Sequence, residues 1–261
     1  MSANYVSLRK EIFSRNWPLD DDLTATAAPL SSHRFLQNPA GQYVYIYLTN
    51  YVKALSELHL GRSFCELSLL DWGCGKGQVS KLFRDLGPGR LESCDIQDDT
   101  SDSAFGQATP ILDHFQLPVT PLPHPIDLPY PDGSFDIVVS FGVLEHVAND
   151  AASLAEIARI LRPGGLFFCF FLPTRLSWTQ AIARAGGDSY HDRLYTRASV
   201  ERLLRPSGLQ LRDLWYRQIF PKNTIYYPAF RLFEQVDQLL TRYTPLCYFA
   251  TNIEFVAVKP A

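Results

Sequence analysis

Three glycines at alternate positions follow an acidic residue in the segment DWGCGKG, residues 71–77, a pattern suited to holding a ligand against bare backbone. Glycine permits positive φ, and a ligand can approach its main chain without meeting a Cβ atom. Asp71 precedes Gly73, Gly75 and Gly77, and a helix starting just after them would offer unpaired N–H groups to a polar ligand. The segment therefore predicts a ligand-binding turn; a tight turn without a ligand is the alternative.

The flanking residues place this turn between a strand and a helix. A short apolar run precedes it, with the length of a buried strand, and apolar residues at helical spacing follow it until Gly87-Pro88-Gly89 ends the pattern. The dinucleotide fingerprint G-x-G-x-x-G would need a third glycine where Gln78 stands. The spacing therefore argues against a pyrophosphate-binding turn and against a nicotinamide-dependent oxidoreductase.

A second acidic residue follows at the distance expected for a contact with ribose. Asp95 closes the segment RLESCD, 22 positions after Gly73, and a carboxylate at that strand end can accept hydrogen bonds from both ribose hydroxyls. Ile96 would then lie against an adenine ring. The alternative is that Asp95 only opens an acidic loop, since Asp98 and Asp99 follow closely.

Two further segments complete a recognisable order. Residues 128–147 give a Pro-Asp-Gly turn, an apolar strand that ends at Phe141 and a helix start; residues 161–173 give a Pro-Gly-Gly turn and another strand. Together with the D-x-G-x-G-x-G turn, these segments resemble class I, Rossmann-like S-adenosylmethionine-dependent methyltransferases, of the small-molecule type found in ubiquinone and menaquinone biosynthesis. The resemblance implies S-adenosyl-L-methionine as cofactor. The cofactor-binding residues that it implies are Asp71, Gly73, Cys74, Gly75, Gly77, Asp95, Ile96 and Phe141.

The candidates for proton transfer are weaker. Glu145 and His146 follow the fourth strand and would start a helix there, and His191 lies in an aromatic loop that could cover an acceptor. The quinone O-methyltransferases bind a divalent metal through an E-x-x-E-H helix start, and Gly142 stands where its first acid would be. We therefore expect no metal. The alternative for Glu145 and His146 is that they only begin the helix and transfer no proton. The residue within 118–127 that would contact adenine stays unassigned.

These residues require an α/β fold to position them. We expect a doubly wound, mostly parallel seven-stranded sheet with an antiparallel last strand, because apolar strands alternate with helical patterns through residues 61–173, the cofactor-binding core. Residues 1–60 would form an N-terminal helical lid on the methyltransferase domain of residues 61–261, and residues 219–249 an aromatic cap on the acceptor side. Tyr43, Tyr47 and Tyr51 share one face of a helix over residues 39–59; they could line the acceptor pocket or, more commonly for such a stripe, pack on the core.

Composition limits the compartment and the partners. Five scattered cysteines suggest neither a disulfide framework nor a zinc site, and no segment is apolar for long enough to span a bilayer, so we expect a cytoplasmic protein. Residues 159–261 hold fourteen basic and seven acidic residues, which favours an acidic acceptor or peripheral contact with an anionic membrane; surface arginines that only aid solubility are the alternative. No nucleic-acid partner is expected, and the oligomeric state stays open.

The sequence thus predicts methyl transfer from S-adenosylmethionine to a small-molecule acceptor, most simply O-methylation of an apolar, acidic or lipid-linked metabolite. C- or N-methylation and a cofactor-binding scaffold without turnover are the alternatives, with the nicotinamide oxidoreductase less favoured.

Overall fold

The computed structural model describes residues 2–30, 34–98, 103–106, 108–187, 193–220 and 229–261. The α-helices in these ranges are α1 (Ser2–Ser14), α2 (Asp21–Ala27), α3 (Arg34–Gln37), α4 (Pro39–Leu60), α5 (Gln78–Leu86), α6 (Pro110–Phe115), α7 (Asp150–Ile160), α8 (Trp178–Ala185), α9 (Arg197–Ser207) and α10 (Phe230–Tyr243). The strands are β1 (Ser68–Trp72), β2 (Arg90–Ile96), β3 (Thr120–Leu122), β4 (Phe135–Phe141), β5 (Leu161–Pro173), β6 (Gln210–Arg217) and β7 (Asn252–Val258).

The seven strands form one sheet in the order β3-β2-β1-β4-β5-β7-β6. Strands β1 to β5 pair in parallel, whereas β7 runs antiparallel to both of its neighbours, β5 and β6. The predicted doubly wound sheet with an antiparallel last strand is therefore confirmed. This order brings the carboxyl ends of β1, β2 and β4 to one edge, where ligands bind in open α/β sheets.

Alternation along the strands divides the core between the two faces of the sheet. Leu69, Ile137 and Phe168 belong to one cluster of buried residues, together with side chains of α1, α4 and α5. Leu70 and Val138, their neighbours in sequence, belong to a second cluster with side chains of α7 and α9. Successive side chains of a strand point to opposite faces, so a sheet covered by helices on both faces needs these continuous apolar runs.

The long helix α4 crosses one face and is bounded by clear sequence signals. Asn38 caps its first turn and Pro39 occupies the first position, where a missing N–H costs nothing; Gly61 ends it with φ of 65°. Tyr43, Tyr47 and Tyr51 are at most 4% exposed and pack against rings such as Phe13. The tyrosine stripe is therefore a packing stripe on the core, the second of the two interpretations of that face.

Three regions contain elements that the sequence analysis did not assign. The acidic, Thr- and Ala-rich stretch after residue 18 contains α2, capped by Asp20, and the Pro-rich region before β4 contains α6 and β3. The linker after β5 contains α8. Within the described ranges, no helix is both long and apolar enough to pass through a lipid bilayer.

Candidate functional site

The glycine turn lies between β1 and α5, as its flanks predicted. Gly73, Gly75 and Gly77 all have positive φ, at 73°, 51° and 88°. The N–H of Gly73 donates to the carbonyl oxygen of Cys94 at 2.9 Å, so the start of the turn is fastened to β2. Three left-handed residues in five positions would be strained for any other residue type, and this is the first reason for the glycines.

Two of the glycines also make room for neighbouring side chains. A Cβ atom on Gly73 would lie 2.5 and 2.6 Å from the two methyl carbons of Val143, and one on Gly77 would overlap the side chain of Leu112. The expectation that the glycines clear space for a ligand is therefore corrected at these two positions, where protein atoms fill the space. Gly73 and Gly77 can therefore contact a ligand only through their backbone atoms.

Asp95 is the acidic group that organises this turn. One carboxylate oxygen accepts hydrogen bonds from the N–H groups of Gly75, at 3.1 Å, and Ala104, at 2.9 Å; the other accepts from Ile96 at 2.8 Å. Burial raises the pKa of Asp95, while the three amide donors act in the opposite direction. Because a carboxylate offers about four lone-pair directions, these three hydrogen bonds leave one direction for a further donor.

The surroundings of Asp95 fit a nucleoside in a second respect. Ile96 is 40% exposed, an unusual position for a large apolar side chain at the end of a central strand. The neighbouring segment, residues 103–106, is held by Lys76, whose Nζ donates to the carbonyl oxygen of Ser103 at 2.8 Å. A ribose would need a hydrogen-bond acceptor for its hydroxyls, and a purine ring would need an apolar surface beside it; Asp95 and Ile96 provide these two features.

Asp71 lies beneath the turn instead of facing it. It is 1% exposed and accepts a hydrogen bond of 2.6 Å from the hydroxyl of Ser80, on α5. Burial, together with the nearby charge of Asp95, raises the pKa of Asp71 to about 7. Cys74 is likewise buried. These two side chains therefore support the turn from below, and a contact between Asp71 and a ligand would have to pass through water or the turn itself.

An aromatic group covers the end of β4. The ring of Phe141 stacks on that of Tyr45, from α4, with centroids 5.9 Å apart and planes 18° apart, and it also contacts Phe170 and Phe171. Phe171 has φ of 63°, in a bulge of β5, and its ring lies 5.0 Å from that of Tyr45. A phenylalanine in the left-handed region is costly, so strain is concentrated at this strand end, a common feature of binding sites.

Glu145 and His146 follow β4 but do not begin a helix. They lie in a turn, and α7 begins only at Asp150, with Asn149 as its cap, so the helix start predicted at Glu145 is wrong by five residues. Glu145 is 4% exposed and its Oε2 has no hydrogen-bond partner among the described residues; burial raises its pKa to about 8. The side chain of His146 is 42% exposed, with Nε2 3.8 Å from the Oε1 of Glu145.

The remaining candidates are not brought to this site. His191 lies outside the described residues. In the region of residues 118–127, where no adenine contact was assigned, His124 is exposed and its Nδ1 accepts a hydrogen bond from the backbone N–H of Asp127 at 3.1 Å. In the described part of the chain, no three His, Cys, Asp or Glu side chains are grouped in a way that could hold a metal ion, and Gly142 supplies no donor beside Glu145.

Behind Phe171 lies a buried ion pair that the sequence did not indicate. The guanidinium of Arg217, which is 2% exposed, donates to the Oε1 of Glu254 at 2.6 Å and lies 4.6 Å from the centroid of the Phe171 ring. Arg217 ends β6 and Glu254 lies on β7, so the pair joins the two antiparallel strands at the site. A buried pair of this kind resists separation because either charge alone would be strongly destabilising.

Sequence reasoning missed Tyr45 and Gln78 at the site. Gln78 begins α5, and its side chain acts on the hydroxyl of Tyr45 to oppose the rise that burial causes in the pKa of Tyr45. The two side chains therefore lie near each other, between α4 and the glycine turn. The signal was present, since Tyr45 alternates with Tyr43 and Tyr47 and must point to a different side of the helix. Only the path of α4 over the sheet reveals which side faces β4.

Comparisons with known proteins agree with this geometry. Residues 70–169 match the family model described as a methyltransferase domain. The chain is 28% identical over 200 residues to a protein of Mycolicibacterium smegmatis described as a probable S-adenosylmethionine-dependent methyltransferase, covering 74% of this chain and 70% of that one. It is also 28% identical over 198 residues to a ubiquinone biosynthesis O-methyltransferase of Parvibaculum lavamentivorans, covering 68% and 76% of the two chains.

Among solved structures, an S-adenosylmethionine-dependent methyltransferase from Archaeoglobus fulgidus superimposes with a TM-score of 0.51. The match covers 81% of this chain and 94% of that one at 18% identity, which speaks for the fold alone. The match of residues 70–169, the relatives and the sheet order confirm the resemblance and relate this chain to the class I S-adenosylmethionine-dependent methyltransferases.

Proposed function

We propose that this protein transfers a methyl group from S-adenosyl-L-methionine to an oxygen of a small-molecule acceptor. The cofactor supplies a methyl group already activated on a sulfonium, so the chain has to bind, orient and exclude water more than it has to activate. The observation that carries the proposal is Asp95, which lies at the end of β2 with three amide donors and a free lone-pair direction, beside the exposed Ile96.

The cofactor would lie along the edge formed by β1, β2 and β4. Asp95 would accept from a ribose hydroxyl, Ile96 would contact the adenine ring, and the backbone of Gly73, Gly75 and Gly77 would border the methionine part. Asp71 and Cys74 would hold the turn from below, since both are buried. Phe141 would separate the cofactor from α4 through its stack on Tyr45.

Glu145 is the best-placed group for moving a proton from an acceptor hydroxyl. Its unpartnered Oε2 has a pKa raised to about 8 by burial, and a group with a pKa near the working pH can both take and release a proton. His146, partly exposed beside it, would pass the proton to solvent. His191 remains a second candidate for the same task.

Helices α1 to α4 would serve as a lid and the segment of residues 219–249 as a cap on the acceptor. Tyr45 gives the lid a direct contact with the site. Tyr47, on the same helix, connects the lid to the cap, because its hydroxyl donates a hydrogen bond of 3.0 Å to the carboxylate of Glu234 in α10. The two units therefore touch each other and β6 through α1 and α10. An aromatic enclosure of this kind suits an acceptor with an apolar body.

Peripheral contact with an anionic membrane would bring a lipid-linked acceptor to this cap. Tyr243, Leu246, Tyr248 and Phe249, at the end of α10 and the short 3-10 helix after it, are between 46% and 66% exposed. Both acids of α10, Glu234 and Asp237, are buried and hydrogen-bonded inside the protein, whereas its arginines face outward. Exposed aromatic side chains beside basic ones favour an anionic bilayer surface.

Transfer of label tests the proposed activity. The protein is incubated with cofactor labelled in its methyl group and with an extract of small molecules, and the products are separated and counted. We expect label in one or a few small molecules, at an alkali-stable ether position for O-methylation. A scaffold without turnover would label nothing. Label on carbon or nitrogen would support the cofactor but would show that the acceptor atom is not oxygen.

The nicotinamide oxidoreductase is tested by the same preparation. S-adenosylhomocysteine should raise the melting temperature, because a ligand that binds only the folded state stabilises it. NADH should leave the melting temperature unchanged. Stabilisation by NADH alone would overturn the proposed function.

A further inference from the structure

A groove with a cationic lining lies at the open edge of the sheet, away from the glycine turn. It has a volume of about 220 Å³ and lies between α1, the edge strand β6 and α10. Its lining residues are Arg9, Lys10, Phe13, Leu214, Trp215, Tyr216, Arg217, Gln238, Thr241 and Arg242. None of them belongs to the segments that would hold the cofactor, so the groove is a separate site.

Four cations and no acid line this groove, and two of the four are not compensated. Arg9 pairs with Asp213 at 2.9 Å and Arg217 with Glu254, behind the lining. Lys10 and Arg242, both exposed, form no salt bridge with any described residue. Burial lowers the pKa of Arg9, and the charge of Arg242 acts in the same direction. This excess of positive charge favours an anion in the groove.

An unpaired donor lies in the same groove. Trp215 is 7% exposed, and its indole Nε1 has no hydrogen-bond partner among the described residues. The Nε of Arg9 and the Nη2 of Arg217 lie 2.9 Å and 2.5 Å from carboxylate oxygens of Asp213 and Glu254, so these two donors already have partners. Buried donors are rarely left unpaired, so the indole N–H of Trp215 beside this cavity points to a missing acceptor.

The walls of the groove indicate the rest of the ligand. Phe13, Trp215 and Tyr216 give it aromatic surface, and the guanidinium of Arg9 lies 4.3 Å from the centroid of the Trp215 ring. The volume is below the roughly 300–1,000 Å³ of sites for drug-sized ligands. The occupant is therefore small, on the scale of a single ring with one anionic group.

The geometry points to a binding site in this groove for a small carboxylate or phosphate monoester that carries an aromatic or apolar body. The anionic group takes hydrogen bonds from Trp215 and the guanidinium groups, and Lys10 and Arg242 neutralise it. Arg217 connects the groove to the active site, because its other face contacts Phe171, whose ring contacts Phe141. The ligand is either the anionic end of the methyl acceptor or a separate effector, and the two share this chemistry.

Calorimetry with three probes tests the site without turnover. Benzoate should bind saturably, whereas benzyl alcohol lacks the charge and acetate lacks the ring, so both should bind much more weakly. Arg242→Gln and Lys10→Gln change exposed side chains, so the fold should persist, and each should weaken benzoate binding about tenfold. Arg202→Gln removes the same charge from an exposed position on α9 and should leave binding unchanged.

The outcomes separate the site from the proposed activity. Equal affinity for benzyl alcohol, no benzoate binding, or equal loss in Arg202→Gln would overturn the anion site, whatever S-adenosylhomocysteine does. Trp215→Phe, which keeps an aromatic ring and removes the donor, should also weaken benzoate binding, and an unchanged affinity would remove the indole N–H from the site. If benzoate lowers label transfer in the wild type but not in Arg242→Gln, and a larger amount of the extract restores the transfer, the acceptor itself occupies the groove. Benzoate binding without a loss of transfer, or with a loss that the extract does not restore, assigns a separate effector.

Discussion

The carboxylate of Asp95 accepts a hydrogen bond from the backbone N–H of Gly75 at 3.1 Å, which joins the end of β2 to the middle of the glycine turn. The same oxygen accepts from Ala104, so one side chain fixes the turn and the loop beyond β2 together. Asp95 therefore shapes the proposed cofactor site, and we expect it to contribute both to folding and to cofactor binding.

Asp95→Asn should weaken the binding of S-adenosylhomocysteine by about 1–3 kcal/mol, because it removes a charged acceptor and places an amide N–H₂ opposite backbone donors. Calorimetry on the purified variant measures the change. Asp98→Asn alters an acid of the same loop and serves as the matched control. Unchanged affinity in a folded Asp95→Asn variant would remove Asp95 from the cofactor site.

Gly73→Ala should destabilise the protein by roughly 2–4 kcal/mol, since it combines a φ of 73° with a Cβ atom 2.5 Å from a methyl carbon of Val143. Gly61→Ala is the control for backbone strain alone: its φ is 65° and no atom lies within 4 Å of the added Cβ, so about 1 kcal/mol is expected. Urea denaturation gives both values.

The double variant Gly73→Ala, Val143→Ala should recover part of the loss, because the overlap is removed while the φ strain persists. If Gly73→Ala cost no more than Gly61→Ala, the contact with Val143 would not be what excludes a side chain there.

Glu145→Gln should change how stability depends on pH. Burial raises the pKa of Glu145 from 4.5 to about 8, so its contribution is full below about pH 4.5 and is lost as the pH rises through 8. The free energy of unfolding of the wild type should therefore fall over this interval relative to that of Glu145→Gln, by roughly 2 kcal/mol. Asp71, unchanged in both proteins, cancels in the comparison.

Denaturation at pH 5 and pH 9 measures the difference, and Glu201→Gln, on the surface of α9, should follow the wild type at both values. Parallel curves for the wild type and Glu145→Gln would show that Glu145 is not held protonated, and it would then lose its proposed part in proton transfer.

Vesicle sedimentation tests the proposed membrane contact. The protein should bind vesicles that contain phosphatidylglycerol more than vesicles of phosphatidylcholine alone, and salt should weaken the binding because charges contribute to it. Leu246→Ser with Phe249→Ser should lower the bound fraction about threefold or more, since both side chains are exposed. Leu58→Ser removes an exposed leucine from α4 as a control. Equal binding to both kinds of vesicle would argue against an anionic surface as the partner.

Much of the fold could be predicted because its signals are local. The apolar run before the glycines and the helical spacing after them define β1, the turn and α5, and Asn38, Pro39 and Gly61 bound α4 where the apolar pattern does. By contrast, β3 has only three residues and includes Pro121, which an edge strand tolerates because one side of it needs no ladder hydrogen bond. So short a strand leaves no periodicity to detect.

Residues of the candidate site could be predicted where one short segment contains the motif. They were missed where the site is formed by segments that are distant in the sequence. Asp95 is identified by its distance from Gly73, and the structure places it against Gly75. Tyr45, Gln78 and Arg217 come from three distant segments, and apart from the alternation of Tyr45 with Tyr43 and Tyr47, their local sequence does not distinguish them from core or surface residues. Their roles depend on the crossing of α4 over the sheet and on the pairing of β6 with β7, which are long-range properties.

The insertion of β7 between β5 and β6 has a kinetic consequence. Among the described strands β6 pairs only with β7, so the segment of residues 252–258 must pair with two strands that precede it in the chain. Closing contacts between distant segments is slow, because loop entropy is lost before pairing compensates for it. We therefore expect the cationic groove, which needs β6 and α10 together, to join the rest of the sheet only when β7 pairs with β5.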